Sequence, residues 1–162
     1  IRVLSSIVQE ARALHLNSGG FQSSLDAFGS GGGGLSMEPV LIAAGAVPSH
    51  IIHPDGGLVY GSQLQNEWGT EILIHAIPQP GGRIAMTIGL MGIPRSACMR
   101  LATVDQTGTG RFTDGITRVA FVSAVAGSSL QPPITPALAA QTVVCGDSES
   151  PVLDVIFTIR LS

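Results

Sequence analysis

Apolar side chains recur along residues 1–16 at the spacing of one helix face. They are Leu4, Ile7, Val8, Ala11 and Leu14, and polar side chains fill most of the remaining positions. This i, i+3, i+4, i+7 periodicity predicts an amphipathic helix. The segment "NSGG" at 17–20 follows, and its glycines are suited to a left-handed helix end. The chain therefore opens with one helix whose apolar side needs a partner surface.

Further along the chain the period changes from helical to alternating. Residues 71–77 and 83–90 alternate and are separated by "PQPGG", which predicts an antiparallel hairpin. Residues 152–161 place Leu153, Val155, Phe157, Ile159 and Leu161 on one side, with Ile156 as the exception on the polar side. This pattern predicts a strand, and 116–125 predicts another.

Short helices are predicted at three further places. Ser36 is a candidate N-cap for a helix that ends before Gly45. Pro94 and Pro136 suit first-turn positions of two helices that each carry one cysteine, and Thr135 is a candidate N-cap. Gly146 follows the second of these helices as a stop signal.

The order of elements predicts an α+β fold in which a long N-terminal helix, here truncated, packs on an antiparallel β-sheet. We expect one domain over 1–162 with a disulfide-bounded C-terminal lobe. Its parts are the N-terminal helix (1–16), a connecting region (17–66), the hairpin and first cysteine helix (67–97), the disulfide-bounded region (98–145) and the final strand (151–162).

Composition narrows the class of protein. Hydrophobic residues make up 44% of the 162 positions and charged residues only 12%, so the chain has ample apolar surface for a core. No apolar run approaches the roughly 18 residues of a membrane span. All eight basic side chains are arginine, which excludes lysine-based chemistry, and the net charge of −3 argues against nucleic-acid binding.

The chain has two cysteines, Cys98 and Cys145, without the CxxC spacing of redox or zinc sites. Two buried thiols in a cytosolic protein are one interpretation, and one disulfide in an exported protein is the other. The disulfide is favoured because it would tie a long segment to the sheet, at a loop-closure gain of roughly 4 kcal/mol. It would imply an oxidising compartment.

Other candidate chemistry is sparse. His50 and His53 have a spacing known from zinc sites, but no third ligand is evident, and a surface loop is the simpler interpretation. Asp105 and Asp114 flank a glycine-rich turn that ordinary turn preferences explain. The glycine run at 29–34 lacks the flanking pattern of a phosphate-binding loop. We therefore predict no enzyme activity, no cofactor and no metal, with a zinc hydrolase as the weakest alternative.

An ordered set of segments resembles the type IVb pilin family, and within that family it is most similar to the major subunit of enterobacterial type IV pili. The segments are the opening helix, "AAGAVP" at 43–48, "NEWGTEILI" at 66–74, "PRSACMRLAT" at 94–103 and "ITPALAAQTVVC" at 134–145 before a terminal strand. The resemblance covers most of the chain from residue 36 onwards, whereas 17–35 matches nothing in particular.

The resemblance implies a structural subunit of a surface filament that mediates attachment and self-association. Residues 1–16 would be the second half of a longer helix whose apolar first half anchors the subunit in the inner membrane. The helix face of Leu4, Ile7, Val8, Ala11 and Leu14 would pack in the filament, and Cys98 and Cys145 would form the family's disulfide. Expected partners are other pilin subunits and a host-cell receptor or recipient-cell surface, with no nucleic acid. The expected location is the bacterial cell surface, reached through the periplasm. A minor pilin or a receptor-binding adhesin of the same family is the alternative.

Overall fold

The computed structural model describes residues 2–17, 35–53, 61–80, 83–103, 115–123, 127–132, 134–145 and 153–161. Their helices are α1 (Arg2–Asn17), α2 (Glu38–Ala43), α3 (Arg95–Thr103), α4 (Pro136–Ala139) and α5 (Thr142–Cys145), with a 3-10 turn at Ser49–Ile51. Their strands are β1 (Leu35–Ser36), β2 (Ile72–Gln79), β3 (Arg83–Ile93), β4 (Ile116–Ser123), β5 (Gly127–Leu130) and β6 (Leu153–Arg160). The glycine run at 29–34, Asp105, Asp114 and Gly146 lie outside the described residues.

The described strands form one antiparallel sheet in the order β1-β2-β3-β6-β4-β5. The α+β class is therefore confirmed. The hairpin of β2 and β3 is also confirmed, with Ile74 opposite Ile88 and Gln79 opposite Arg83. Strand β3 continues to Ile93 and changes register between Leu90 and Ile93, which marks a bulge.

Strand β6 lies between β3 and β4, so the last described strand is internal to the sheet. Its predicted alternation is confirmed, because Leu153, Val155, Phe157, Ile159 and Leu161 are all buried. Phe157 faces Ile88 on one side and Val119 on the other, both buried, so one apolar row crosses the three strands. The register of β6 is fixed by this row, since a slip of one residue would turn the row outward.

Helix α1 has 16 residues and one apolar face, as its periodicity predicted. That face does not lie on the outside. Leu4, Ile7, Val8 and Ala11 are buried in the same core cluster as the sheet residues, and Leu14 packs against that cluster. The assignment of these residues to filament packing stays a prediction, and within one chain they pack in the core. An apolar stripe beside an uncovered sheet face is buried within the chain first, because no association entropy opposes that packing.

Helix α2 ends as predicted but begins differently. Its C-terminus has the Schellman arrangement: Gly45 has φ +70°, its N–H donates to Ile42 O, and the Ala46 N–H donates to Leu41 O. The predicted N-cap at Ser36 is wrong, since Ser36 pairs with His75 in β1 and Met37 precedes the helix. The backbone of Ser36 is extended because it pairs with the edge of β2, so this residue belongs to the strand and not to the start of the helix.

The two cysteine segments are both helical. The N-cap at Thr135 is confirmed, because its Oγ1 accepts the Leu138 N–H at 3.2 Å. The second segment is divided at Ala140 and Gln141 into the single turns α4 and α5. Strands β1 and β5 had no sequence prediction.

Candidate functional site

A disulfide joins α3 to α5. Cys98 and Cys145 are bonded, with their Cα atoms 5.6 Å apart, and both side chains are buried. The choice between free thiols and a disulfide is thereby settled for the disulfide. A second link runs close by, where Arg95 Nη2 donates to Ala140 O at 3.0 Å. The helices at the two ends of the 98–145 region are therefore held together by covalent and polar contacts.

A hydrogen-bonded loop at 66–70, "NEWGT", is the most densely connected polar segment of the described chain. Asn66 Oδ1 accepts the N–H groups of Trp68 and Thr70 at 3.0 and 3.1 Å. Asn66 Nδ2 donates to Thr70 Oγ1 at 2.7 Å and to Met91 O at 3.1 Å. Because one side chain closes the loop in this way, the backbone at Trp68 is held in place.

The same loop is fastened to the bulge of β3. Thr70 Oγ1 donates to Met91 O, and Gly92 has φ +55° directly beneath Thr70. A Cβ atom on residue 92 would lie 3.1 Å from Thr70 Cγ2, which is too close for ordinary packing. Asp154 Oδ1 of the neighbouring strand accepts the Gly92 N–H at 2.9 Å. The bulge of β3 thus holds the 66–70 loop in place by a hydrogen bond and by close packing.

A groove of about 630 Å³ lies between the start of α1, the 3-10 turn, the 66–70 loop and α3. We call it the Trp68 groove. Its lining includes the buried side chains of Leu4, Ile72, Leu90 and Leu101. Half-buried Trp68 and the exposed side chains of His50, Glu67 and Arg100 surround this apolar floor. A volume of this size with an apolar floor and a few polar groups is typical of a binding site.

Two buried carboxylates accept hydrogen bonds from the 61–65 segment. Glu38 and Glu71 are only 4% and 3% exposed. Glu38 Oε2 accepts from Ser62 Oγ at 3.0 Å and from the Gln63 N–H at 3.2 Å, while its Oε1 accepts the Ile74 N–H at 3.2 Å. Glu71 Oε1 accepts the Ser62 N–H at 3.2 Å. These carboxylates join α2, the 61–65 segment and β2 by satisfying buried backbone donors.

The structure describes both candidate metal residues. His50 is exposed in the 3-10 turn and His53 is half-buried after it. Within the described ranges, no three or more His, Cys, Asp or Glu side chains are grouped closely enough to hold a metal ion. The side chains at the centre of the two hydrogen-bond networks, Asn66 in one and Glu38 and Glu71 in the other, had no functional prediction. For Asn66 the sequence signal is its position two residues before Trp68 in the turn-forming segment "NEWGT". Glu38 and Glu71 have no such signal.

None of the helices in the described part of the chain has the length and apolar character to cross a membrane. No protein-family model, curated protein or solved structure matches the chain. Any functional interpretation therefore depends on the residues and geometry described above.

Proposed function

We propose that this protein is a structural subunit of a type IVb pilus-like filament, exported and assembled on a bacterial surface. The observation that carries the proposal is the disulfide between Cys98 and Cys145, which lies at the positions where the resemblance to type IVb pilins expects one. A stable disulfide of this kind is typical of exported proteins, because cytosolic reductants keep thiols reduced.

The arrangement of the bonded region supports the same proposal. Strands β4 and β5 lie between the two cysteines, and β5 is the terminal strand of the described sheet. A terminal strand is held by one neighbour only, so it is the part of a sheet most easily lost. A cross-link between the ends of this region limits how far it can separate from the body when a filament is under load or exposed to protease.

The outer face of α1 provides the surface for contact between subunits. Ser6, Glu10, Ala13 and Leu16 are exposed and follow one another at helical spacing. The face that is buried in the core lies opposite. A filament contact through α1 would therefore involve Ser6, Glu10, Ala13 and Leu16, and it is compatible with burial of Leu4, Ile7, Val8 and Ala11 in the core of the same chain.

Immunogold electron microscopy of the bacterium that makes this protein tests the proposal. Antibodies raised against the purified chain should label thin surface fibres, and fibres should be absent when the gene is deleted. Label along the whole fibre indicates the major subunit, and label confined to fibre tips indicates a minor pilin. Surface fibres that never bind the antibody, in cells that express the protein, would contradict the proposal.

A receptor-binding role can be separated from scaffolding by competition. If the subunit is also the adhesin, purified protein should reduce attachment of piliated cells at micromolar concentration. If attachment stays unchanged and the antibody labels the whole fibre, the subunit has the scaffold role only.

A further inference from the structure

The antiparallel sheet has a face that the core does not use. Strand β6 alternates between buried residues and the half-buried or exposed Asp154, Ile156, Thr158 and Arg160. Ile156, the apolar residue among these four, does not belong to the core cluster. We call the side of the sheet on which they lie the outer face. The neighbouring strands add the residues that pair with these four in register.

Three arginines that are far apart in the sequence lie together on the outer face. Arg160 in β6 faces Ala85 in β3, two positions from Arg83 and on the same side of that strand. Arg118 in β4 faces Thr158, two positions from Arg160. Diagonal neighbours of this kind are about 7–8 Å apart. Arg83, Arg160 and Arg118 are all exposed and follow one another across three adjacent strands, and we call them the arginine line.

The positive charge of the arginine line is not balanced within the described chain. Arg118 Nε donates to the neutral Ser129 Oγ, and none of the three guanidinium groups has a carboxylate partner among the described residues. The described carboxylate of the outer face, Asp154, is six positions from Arg160 along β6, which corresponds to roughly 20 Å. Its Oδ1 accepts the Gly92 N–H at 2.9 Å. Because neighbouring charges of one sign repel each other, an anion held between these arginines would be stabilised.

A row of polar side chains runs beside the arginine line. His75, Thr87, Thr158 and Arg118 pair in register on β2, β3, β6 and β4. The hydroxyl groups of the two threonines both donate and accept hydrogen bonds. Ala85, the next outer-face residue on β3, is small, so no bulky side chain of that strand separates this row from the arginines. The outer face therefore offers hydroxyl groups beside cationic groups on one flat surface.

We propose that the outer face binds an acidic polysaccharide. The guanidinium groups of the arginine line hold its sulfate or carboxylate groups, because the planar donor fork of arginine matches both anions. The hydroxyl groups of Thr87 and Thr158 bond to the sugar hydroxyls beside those charges. This ligand is additional to the filament proposal and does not depend on it.

An acidic sugar chain fits this face better than a nucleic acid does. Proteins that bind single strands stack the bases on aromatic side chains. The aromatic residues of the described chain are Trp68, which lines the groove, and Phe121 and Phe157, which are buried in the core, so none lies on the outer face. Duplex DNA is bound through many phosphate contacts, which the net charge of −3 opposes.

Isothermal titration calorimetry of the purified full chain with a heparin-derived octasaccharide tests the proposal. We expect binding that weakens as salt is added, because contacts between exposed charges are screened. The Arg118→Gln, Arg160→Gln double variant should bind about tenfold more weakly, since it loses charge-assisted hydrogen bonds. Arg100→Gln is the matched control and should bind like the unsubstituted protein, because it removes the same charge from an exposed position on α3.

Nuclear magnetic resonance of the unsubstituted protein locates the ligand without any variant. The amide resonances of Thr87 and Thr158 should shift when the octasaccharide is added, whereas that of Trp68 should not.

The proposal would be overturned by three results. One is the absence of octasaccharide binding at low salt, and another is binding that is equal in the double variant and the unsubstituted protein. The third is a short DNA duplex that binds more tightly than the octasaccharide and is lost in the double variant, since the outer face would then be a nucleic-acid site. Antibody labelling of surface fibres is independent of all three results, so the filament proposal stands or fails separately.

Discussion

At the scale of single residues, the loop that presents Trp68 depends on a few side chains with several partners each. Asn66 donates or accepts in the hydrogen bonds that close the 66–70 turn, and Thr70 connects that turn to Met91. Gly92 makes this close approach possible, because it combines a positive φ with the absence of a side chain beneath Thr70. The 66–70 loop is therefore held against the bulge of β3 by close packing as well as by hydrogen bonds.

Substitution of Gly92 tests that fit. We expect Gly92→Ala to lower the free energy of unfolding by about 2 kcal/mol, because a left-handed backbone costs about 1–2 kcal/mol for a residue with a Cβ atom and this Cβ would also meet Thr70 Cγ2. Urea unfolding measures the loss. Gly45→Ala is the matched control, since it has the same sign of φ and no heavy atom within 4 Å of its Cβ position.

Thr70→Ser separates the two causes, because it removes the Cγ2 atom and keeps the hydroxyl. In that background Gly92→Ala should cost less than in the unsubstituted protein, and its cost should approach that of Gly45→Ala. An equal cost in both backgrounds would mean that the backbone conformation alone accounts for the loss.

At the scale of secondary-structure elements, those with a long hydrophobic period were predictable from the sequence. Those that form only by pairing with a neighbouring strand were not. Strand β6 and the hairpin were predictable because their alternation is long enough to identify a buried face. Strand β5 reads "GSSL" and β1 has two residues, so neither has a hydrophobic period, and both exist because β4 and β2 offer an edge. The Trp68 groove is lined by four segments that are separate in the sequence. Their proximity follows from the order of the strands in the sheet, and no local sequence pattern predicts that order.

Glu38 is the main polar connection between elements, and its removal should be costly. In Glu38→Ala, the N–H groups of Gln63 and Ile74 lose their acceptor. An unsatisfied buried donor costs about 1–3 kcal/mol, and the Ile74 N–H is buried whereas the Gln63 N–H is only partly buried. We therefore expect a loss of about 2 kcal/mol in the free energy of unfolding. Thermal and urea unfolding measure it.

Glu10→Ala provides the comparison, because Glu10 is an exposed carboxylate on α1 and its removal should change stability by less than about 0.5 kcal/mol. Glu38→Gln should fall between the two, since an amide keeps one acceptor oxygen. A Glu38→Ala protein as stable as Glu10→Ala would show that water replaces the carboxylate without loss.

At the scale of the whole molecule, the disulfide holds the region around β4 and β5 to the rest of the core. Cys98 and Cys145 belong to the same buried cluster as the sheet and α1, so the covalent link reinforces a core that is already continuous. It spans 47 positions of the sequence. Its main thermodynamic effect is therefore expected on the unfolded chain, where it closes a long loop and lowers the conformational entropy.

Replacement of both cysteines tests that effect. We expect the Cys98→Ser, Cys145→Ser double variant to lose up to about 4 kcal/mol of stability and to unfold at a lower temperature. Reductant should lower the melting temperature of the unsubstituted protein towards that of the variant and leave the variant unchanged. The same melting temperature in both proteins without reductant would contradict a stabilising role.

The position of β6 has a consequence for biosynthesis. This strand is the last described one in the chain, yet it lies between β3 and β4, which do not pair with each other. While the ribosome is still making the preceding residues, the β4–β5 pair has no place in the sheet, and the inner edge of β3 is open. The described sheet cannot be completed until β6 has been synthesised, and we expect native packing of β3 against the β4–β5 pair to form only once this strand is available.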